Sequence, residues 1–367
     1  LIPILAVFTA LLFGAVLIVV TDAAVYAAFR EGGIAAGLVA IWNSVATAYG
    51  ALFSGALGDA SAISESLVAS TPYIFAGLAV AVGFRGGLFN IGAEGQLLVA
   101  AGVAVVIGYS FQLPWFIHLP LAFLGGVLGG AIYGAIPGYL KAKTGAHEVI
   151  NTIMMNYIAF IFFSWAFTGP LRRPGGDAPV TQEIYPSAYL PQIFEGYRFH
   201  WGFFVALAVA FGVWWLLFKT TLGFEIRTVG ANPNAARYGG MKITRVIVLT
   251  MSISGGLAGM AGASEVLGLN HFLADGFSAG YGFDAIALAL LGKSHPLGVV
   301  LASLLFGTLR NGATRMQSIA SIPIDIISVI QALVIVFIAA PDIVRWIYRV
   351  KAKSEVEETV FTRGWGA

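Results

Sequence analysis

The sequence contains no cysteine, and only 10% of its residues are charged. Without cysteine the chain forms no disulfide and offers no thiolate to a metal ion. A soluble domain of 367 residues needs a far more charged surface, so the composition argues against that class. The net charge is only +2 and the basic residues are scattered over loops, so we predict no nucleic-acid partner. The pattern G-x-x-x-x-G-K-S/T is also absent, so the chain does not bind ATP through a P-loop.

Hydrophobic residues make up 58% of the chain, which also contains 46 glycines. A helix needs about 20 apolar residues to cross a bilayer, and glycines let membrane helices approach closely. We therefore predict an all-α polytopic membrane protein with about ten transmembrane helices. The chain opens in an apolar run without methionine, so we expect a few preceding residues and a retained first helix. The predicted segments are 1–20, 67–83, 90–108, 115–139, 149–167, 201–218, 246–267, 278–291, 297–309 and 322–340.

The ten segments fall into two groups of five that run in opposite senses. This arrangement predicts two inverted halves, roughly 1–170 and 171–350, within a single transmembrane domain that covers 1–367. The third segment opens with polar residues and the eighth is short, so we predict broken or re-entrant helices at both. Two long stretches fall outside the membrane. Residues 32–66 suit a helix at the interface, and residues 170–200 suit a solvated loop or an outer contact.

The distribution of lysine and arginine predicts the orientation. If residues 219–245 are cytoplasmic, 14 basic residues lie inside and 6 lie outside. The positive-inside rule therefore places both termini, and the tail at 345–367, in the cytoplasm. The basic residues left outside are Arg30, Arg172, Arg173, Arg198, Arg310 and Arg315.

A short helix with both ends marked lies inside the polar stretch 219–245. Asn232 can cap its first N–H groups, and Pro233 suits the first helical position. Gly239 or Gly240 can supply the left-handed residue that ends it. A plain solvated hairpin would also explain the charges, but the capped helix favours a docking element for a partner. The predicted docking residues are Asn232, Pro233, Ala235, Ala236, Arg237 and Gly239.

Residues 83–96 carry five glycines and several polar side chains where the second segment passes into the third. Irregular backbone at membrane depth survives only inside protein or beside a wet cavity, and ionisable residues there are functional candidates. The alternatives are a cytoplasmic turn in which Arg85 offsets Glu94, or a structural role for Glu94 as an acceptor of backbone N–H groups. The predicted pathway residues are Phe89, Asn90, Glu94, Gln96, Asn156, Glu265 and Asn270.

Two enzyme patterns nearly match. His147 and Glu148 begin the zinc-binding pattern H-E-x-x-H, but position 151 is Asn and one ligand is missing. Residues 276–280 satisfy G-x-S-x-G with Ser278, and His271 is close in sequence, which leaves an intramembrane serine hydrolase open. We predict no catalytic residue, no metal site and no cofactor. The isolated His118, His200 and His295 are predicted to lie at the membrane interface.

Four motifs together resemble one family. GLFNIGAEGQ at 87–96, GAHEVINTIMMNY at 145–157, VGANPNAARYG at 229–239 and GFDAIALALLG at 282–292 are similar to permease subunits of ABC importers. The resemblance is to the nucleoside and simple-sugar branch of the ribose and branched-chain amino acid permease family. It covers the chain from about residue 72 to the tail. It implies a permease dimer, ATPase subunits that dock on the helix at 232–239, and an extracytoplasmic substrate-binding protein.

The expected function is therefore translocation of a nucleoside across the plasma membrane, driven by ATP hydrolysis on partner subunits. Simple sugars are the second expected cargo and branched-chain amino acids the third. The few charges at membrane depth argue against a strongly charged cargo. The alternative is a stand-alone secondary transporter, coupled to ions through Glu94, Glu265 or Asp284.

Overall fold

The computed structural model describes residues 2–176, 178–277, 279–323 and 325–349. The described residues are almost entirely α-helical and contain no β-strand longer than an isolated bridge. This confirms the predicted all-α membrane fold. The helices are α1 (Ile2–Thr21), α2 (Ala23–Leu57), α3 (Ala60–Arg85), α4 (Ala93–Ser110), α5 (Trp115–Thr144), α6 (Glu148–Thr168), α7 (Gly202–Lys219), α8 (Thr221–Ala231), α9 (Pro233–Tyr238), α10 (Ile243–Glu265), α11 (Tyr281–Leu291), α12 (Pro296–Ala320), α13 (Asp325–Ala339) and α14 (Pro341–Tyr348).

Nine helices in the described ranges are long and apolar enough to cross a bilayer, or ten if α13 and α14 form one bent span. Helix α11 has 11 residues and a length of about 16 Å, well short of a hydrocarbon core of about 30 Å. The short eighth segment of the sequence prediction is therefore present as a half-length helix.

Residues 32–66 were predicted to suit a helix at the interface, and α2 occupies most of them as a long helix that is also apolar enough to be a candidate membrane span. Gly33 interrupts α2 with φ 73° and ψ −166°, a conformation open to glycine and strained for other residues. After this break the helix returns along α1, where the Tyr49 hydroxyl donates to the Leu11 carbonyl. Alanine, glycine and serine dilute the apolar signal of this stretch, although such residues suit close helix packing.

The described chain divides into two compact units, 2–69 with 304–349 and 70–303. In the first unit, α1 packs along α13, with the rings of Phe13 and Phe337 at 5.7 Å. The Asn311 amide on α12 donates to the carbonyls of Gly55 and Ala62, each at 3.0 Å. The predicted division into halves near residue 170 stays a prediction.

The second unit is built on close packing of α4, α5 and α10. A methyl group added at Gly130 on α5 would lie 2.5 Å from the carbonyl oxygen of Gly255 on α10. Neither position tolerates a side chain without movement of backbone. Helix packing in a membrane gains little from the hydrophobic effect and depends on such contacts. This packing fixes the positions of the two chain breaks that follow.

Two breaks interrupt the membrane helices of the second unit. After α3 the chain turns at Gly87, whose φ is +68°, and α4 begins only at Ala93. After α10 one turn of π-helix, Val266–Asn270, precedes an irregular connection to α11. Both breaks match the predicted broken helices.

Candidate functional site

A buried polar network fills the first break. The Asn90 amide donates to Gln96 Oε1 and to the Ser254 hydroxyl, both at 2.8 Å. Its own oxygen accepts from the Gly92 N–H at 3.0 Å and from Gln96 Nε2 at 3.1 Å. The Ser254 hydroxyl in turn donates to the Ala79 carbonyl of α3 at 2.6 Å. Asn90 thus ties the irregular backbone to both α3 and α10.

Glu94 contacts the second break. One carboxylate oxygen accepts from the Gly280 N–H at 2.9 Å, and the other accepts from the Gly282 N–H. The first turn of α11 also holds Asp284, whose carboxylate accepts from the Tyr73 hydroxyl at 2.9 Å. Glu94 is therefore an acceptor of backbone N–H groups, and Arg85 is not its partner in these contacts. The N–H groups that it binds belong to the far half of the chain.

Asn156 on α6 completes the cluster around the start of α4. It accepts from the Gly95 N–H at 2.8 Å and donates to the Ile91 carbonyl at 2.9 Å. The structure thus brings four of the predicted pathway residues together, and all four are buried with at most 2% of their surface exposed. They are Asn90, Glu94, Gln96 and Asn156.

The remaining predicted pathway residues lie elsewhere. Glu265 is buried at the end of α10, about 16 Å along that helix from Ser254. Asn270 follows it at the end of the π turn and is half-buried. Phe89 is half-buried, with its ring 5.1 Å from the Phe84 ring. The role of all seven residues as pathway lining stays a prediction.

Sequence reasoning missed the partners of this network. Ser254 lies on an apolar helix, and Gly280 and Gly282 contribute only backbone, so no local pattern marks any of them. Tyr73 is fully buried inside α3 and carries no signal of its own. Asp284 was named from the sequence as a possible ion-coupling carboxylate. Among these partners, its ionisable side chain was therefore the one feature visible in the sequence.

The predicted docking helix is present as α9. Asn232 Oδ1 accepts from the N–H groups of Asn234 and Ala235, each at 3.0 Å, and Pro233 occupies the first position. Gly240, with φ +82°, supplies the left-handed residue. The local capping signals therefore predicted both ends correctly.

Helix α9 leaves most of its surface open. Ala236 is fully buried, whereas Ala235, Arg237 and Gly239 are exposed and Tyr238 is 98% exposed. Ala236 therefore attaches the helix to the chain, and the other residues form its free face. This separates Ala236 from the other predicted docking residues.

Sequence reasoning missed α8, which precedes the docking helix. The Thr220 hydroxyl caps it by accepting from the Gly223 N–H at 3.0 Å. Gly223, Ile226 and Val229 are buried along one face, a spacing typical of an amphipathic helix. The polar loop between α7 and α10 is thus a pair of helices, and we call α8 and α9 together the coupling segment.

The loop at residues 170–200 packs against the second break. The ring of Tyr189 stacks on His271 at 3.7 Å, and its hydroxyl donates to Glu183 at 2.9 Å. Burial, with a smaller contribution from Glu183, raises the pKa of Tyr189 to about 12. His200 is 2% exposed, and burial with the nearby His271 lowers its pKa to about 4. Gly268 leaves room for the His200 ring, and the predicted position of His200 at the membrane interface stays a prediction.

His118 is also buried, with Nδ1 at 2.7 Å from the Ser187 hydroxyl. The two near-matches to enzyme patterns gain no support. Glu148 is engaged by Lys141 at 2.6 Å, and the neighbouring His147 is exposed. Within the described ranges, no three His, Cys, Asp or Glu side chains group as metal ligands. Ser278 lies outside the described residues.

Comparison with known proteins places this sequence in a family. A guanosine ABC transporter permease protein of Bacillus subtilis is 43% identical, covering 86% of this chain and 92% of the relative. A nucleoside ABC transporter permease protein of Lactococcus lactis is 34% identical over 94% and 92% of the two chains. A glucose ABC transporter permease protein of Haloferax volcanii is 35% identical over 86% and 85%. No solved structure matches the chain.

The family match covers residues 62–339, which include the Asn90 network, the coupling segment and α11. These residues carry most of the motifs that pointed to an importer permease. The chain therefore belongs to the family described as branched-chain amino acid transport system / permease component.

Proposed function

We propose that this chain is the membrane subunit of an ATP-binding cassette importer and that it translocates a nucleoside. The observation that carries the proposal is the coupling segment, which lies between two spans and leaves Ala235, Arg237 and Tyr238 open for a partner. A short helix with one buried and one free face suits docking on a second protein. In this arrangement the chain is not an enzyme, and ATP is hydrolysed on the partner.

The cargo assignment rests on the relatives. Two of the three compared relatives are named for guanosine or nucleosides and one for glucose. The buried side chains of the Asn90 network are amides and hydroxyls, which suit an uncharged polar cargo. Nucleosides are therefore the first choice and simple sugars the second.

Uptake by the reconstituted complex tests the proposal. The chain would be placed in proteoliposomes with its ATPase, a second permease subunit and the substrate-binding protein. We expect uptake of radiolabelled guanosine only with ATP inside the compartment that holds the ATPase. Uptake by this chain alone, driven by a proton or sodium gradient, would instead identify the stand-alone secondary transporter. Uptake of glucose but not guanosine would leave the importer class intact and change the cargo.

The orientation follows from basic residues and from the number of crossings. With the coupling segment in the cytoplasm, Arg85 and Lys293 are cytoplasmic too. Helix α2 adds a crossing before Arg85 that the sequence did not predict. With this crossing the start of α1 lies outside and Arg30 lies inside, which gives 15 basic residues inside and 5 outside. The C-terminal tail stays cytoplasmic.

Labelling of single cysteines tests this orientation, because the native chain has none. The sites would be Glu31→Cys, in the turn between α1 and the return of α2, and Lys143→Cys, at the inner end of α5. We expect an impermeant thiol reagent outside whole cells to label neither site. Labelling of the cysteine at position 31 but not of that at position 143 would instead support the prediction from the sequence. In that prediction residues 32–66 lie outside the membrane and the chain begins in the cytoplasm.

The subunit works as half of a pair, with one pathway between two permease subunits. Helices α5 and α6 leave long apolar faces uncovered within the chain, including Leu128, Ile132, Ile161 and Trp165. Such faces suit lipid or a second permease. The four clustered pathway residues are closed off within this chain, so a pathway through them requires movement of the second break.

A further inference from the structure

Helix α11 is held at its amino end by a negative charge. Glu94 accepts from the N–H groups of Gly280 and Gly282, which have no helical partner at the start of a helix. A methyl group added at Gly282 would lie 2.6 Å from the Glu94 Cα, so the starts of α4 and α11 touch through backbone. A carboxylate at this end also complements the helix dipole.

A positive charge holds the opposite end of α11. Arg85 Nε donates to the Ser294 carbonyl at 2.9 Å, and Nη2 donates to the Lys293 carbonyl at 3.3 Å. Lys293 and Ser294 have φ +52° and +49°, so the chain reverses just after the helix ends. A cation on carbonyls at a helix C-terminus satisfies acceptors and complements the dipole. Arg85 and Glu94, nine positions apart in the stretch 83–96, thus hold the two ends of α11.

The contacts of Arg85 and Glu94 with the two ends of α11 matter because this helix is short. A helix of 11 residues is marginal on its own, and its position depends on what holds its ends and sides. Arg85 ends α3 and Glu94 begins α4, so the two helices and the break between them form one frame around α11. A shift at either charged residue changes where α11 rests.

The coupling segment contacts the inner end of this frame. The guanidinium carbon of Arg85 lies 5.6 Å from the centroid of the Phe218 ring. The guanidinium carbon of Arg227 lies 5.2 Å from the same centroid. Arg227 Nε is buried and has no hydrogen-bond partner in the described chain, so its guanidinium is held against the aromatic ring instead. A methyl group added at Gly230 would lie 2.7 Å from the Gly87 nitrogen. Helix α8 therefore touches residues 85–87 directly at Gly230, and its Arg227 is linked to Arg85 through the Phe218 ring of α7.

We propose that α11 is the element that the coupling segment moves, and that Arg85 and Glu94 are the positioning residues that hold it. The inference rests on the proposed function, because an ATPase must act on α8 and α9. Movement of α8 shifts Arg85 through Phe218 and Arg227 and changes the hold on the Lys293 and Ser294 carbonyls. Coupling requires such an element, whose position both the ATPase side and the membrane side influence.

A cysteine introduced at position 279 reports on the amino end of α11. Ala279 is exposed and precedes the N–H group that Glu94 binds, and the native chain has no cysteine of its own. The Ala279→Cys variant would be assembled with its ATPase and partner subunits in nanodiscs. The rate of reaction with a charged maleimide would be measured without nucleotide and with trapped ATP. We expect the rate to differ between the two states.

Removal of either charge is expected to release α11. In the Ala279→Cys background, Arg85→Met and Glu94→Gln should each remove most of the difference in labelling rate between the two nucleotide states. Glu94→Gln keeps one acceptor oxygen, but its amide group cannot accept the second N–H. The matched controls are Arg30→Met and Glu31→Gln, which remove the same charges at exposed positions of α2. Both controls should label like the parent.

Arg227→Met tests the link to the coupling segment. We expect ATP hydrolysis to continue, while the nucleotide-dependent change in labelling at position 279 and the uptake per ATP hydrolysed both fall. A variant that only loosens the fold would instead raise labelling in every state. If Arg227→Met keeps the parental change in labelling, α8 does not act through this contact and the link is overturned.

If Arg85→Met does not assemble, Arg85→Lys is the second variant. Lysine keeps the charge but loses the fork that reaches two carbonyls, so a smaller loss of the nucleotide-dependent difference in labelling is expected. Parental labelling with both Arg85→Lys and Glu94→Gln would overturn the proposal. ATP-driven uptake with the same labelling at position 279 in both nucleotide states would contradict this inference alone. Uptake without any ATPase would contradict the proposed function.

Discussion

Asn156 on α6 bonds to both sides of the start of α4, accepting the Gly95 N–H and donating to the Ile91 carbonyl. A single amide thereby satisfies a donor and an acceptor of irregular backbone that water does not reach. The amide suits this position because its acceptor oxygen and its donor nitrogen are separate atoms that can face the two backbone groups at once.

Asn156→Ala should therefore destabilise the protein by about 2–4 kcal/mol, since it leaves two buried backbone groups unsatisfied. The expected result is a lower melting temperature in detergent together with reduced uptake. Asn43→Ala, at an exposed position of α2, is the control and should melt like the parent. An unchanged melting temperature for Asn156→Ala would mean that water or another group replaces the amide.

Two neighbouring alanines of α9 should respond differently to a large charged side chain. Ala235 is exposed, so Ala235→Arg should leave melting unchanged while it abolishes uptake and binding of the ATPase. Ala236 is fully buried, so Ala236→Arg should lower the melting temperature itself.

Co-purification of the ATPase with the permease would measure docking separately from folding. Ala235→Ser keeps a small side chain and should bind the ATPase normally. Normal uptake by Ala235→Arg would show that α9 does not dock on the ATPase through this face.

The contact between α5 and α10 should not tolerate a methyl group. Gly130→Ala places its new carbon 2.5 Å from the Gly255 carbonyl oxygen and should cost about 1–3 kcal/mol. Gly212→Ala on α7 makes the same change where no atom lies within 4 Å, and should be neutral. Thermal unfolding of both variants in one detergent gives the comparison.

The buried His200 should make the loop at residues 170–200 sensitive to acid. Its pKa is lowered to about 4 in the folded protein, against about 6.5 in an unfolded chain. Above about pH 6.5 the side chain is neutral in both the folded and the unfolded state, and protonation of His200 does not lower the free energy of unfolding. As the pH falls toward 4, only the unfolded chain gains the proton, so stability falls by on the order of 3 kcal/mol across that window.

Melting temperatures measured between pH 7.5 and pH 4 check this expectation. His200→Gln removes the titrating group and should flatten the pH dependence, even if its stability at neutral pH is lower. The control His147→Gln changes an exposed histidine and should keep the parental slope. An equal slope in all three proteins would assign the acid sensitivity to other groups.

The sequence alone determined the class of fold and the ends of the short docking helix. Long apolar runs with few charges are sufficient for the first, because a bilayer demands helices that satisfy their own backbone. Asn232 and Pro233 are sufficient for the second, because capping depends on neighbours within a few residues. The break at 86–92 was also readable, from its glycines and polar side chains.

The sequence did not reveal helix α8, nor that α2 is long and apolar enough to be a candidate membrane span. Residues 32–66 mix alanine, glycine and serine with few strongly apolar side chains, and the turn at Gly33 gives them a partner in α1. Residues 221–231 place a helix in a polar loop, where its buried face depends on packing against neighbouring helices. Hydropathy along the chain does not record such packing.

Only the tertiary structure decided what the charged residues of the motif do. From the sequence, Arg85 and Glu94 look like partners of each other. In the fold they bind backbone groups 186 or more positions away, at opposite ends of α11. Those partners are N–H and carbonyl groups that every residue possesses, so no side-chain pattern marks them. Their availability arises only because α11 begins and ends there, and only the tertiary fold brings Arg85 and Glu94 within hydrogen-bond distance of them.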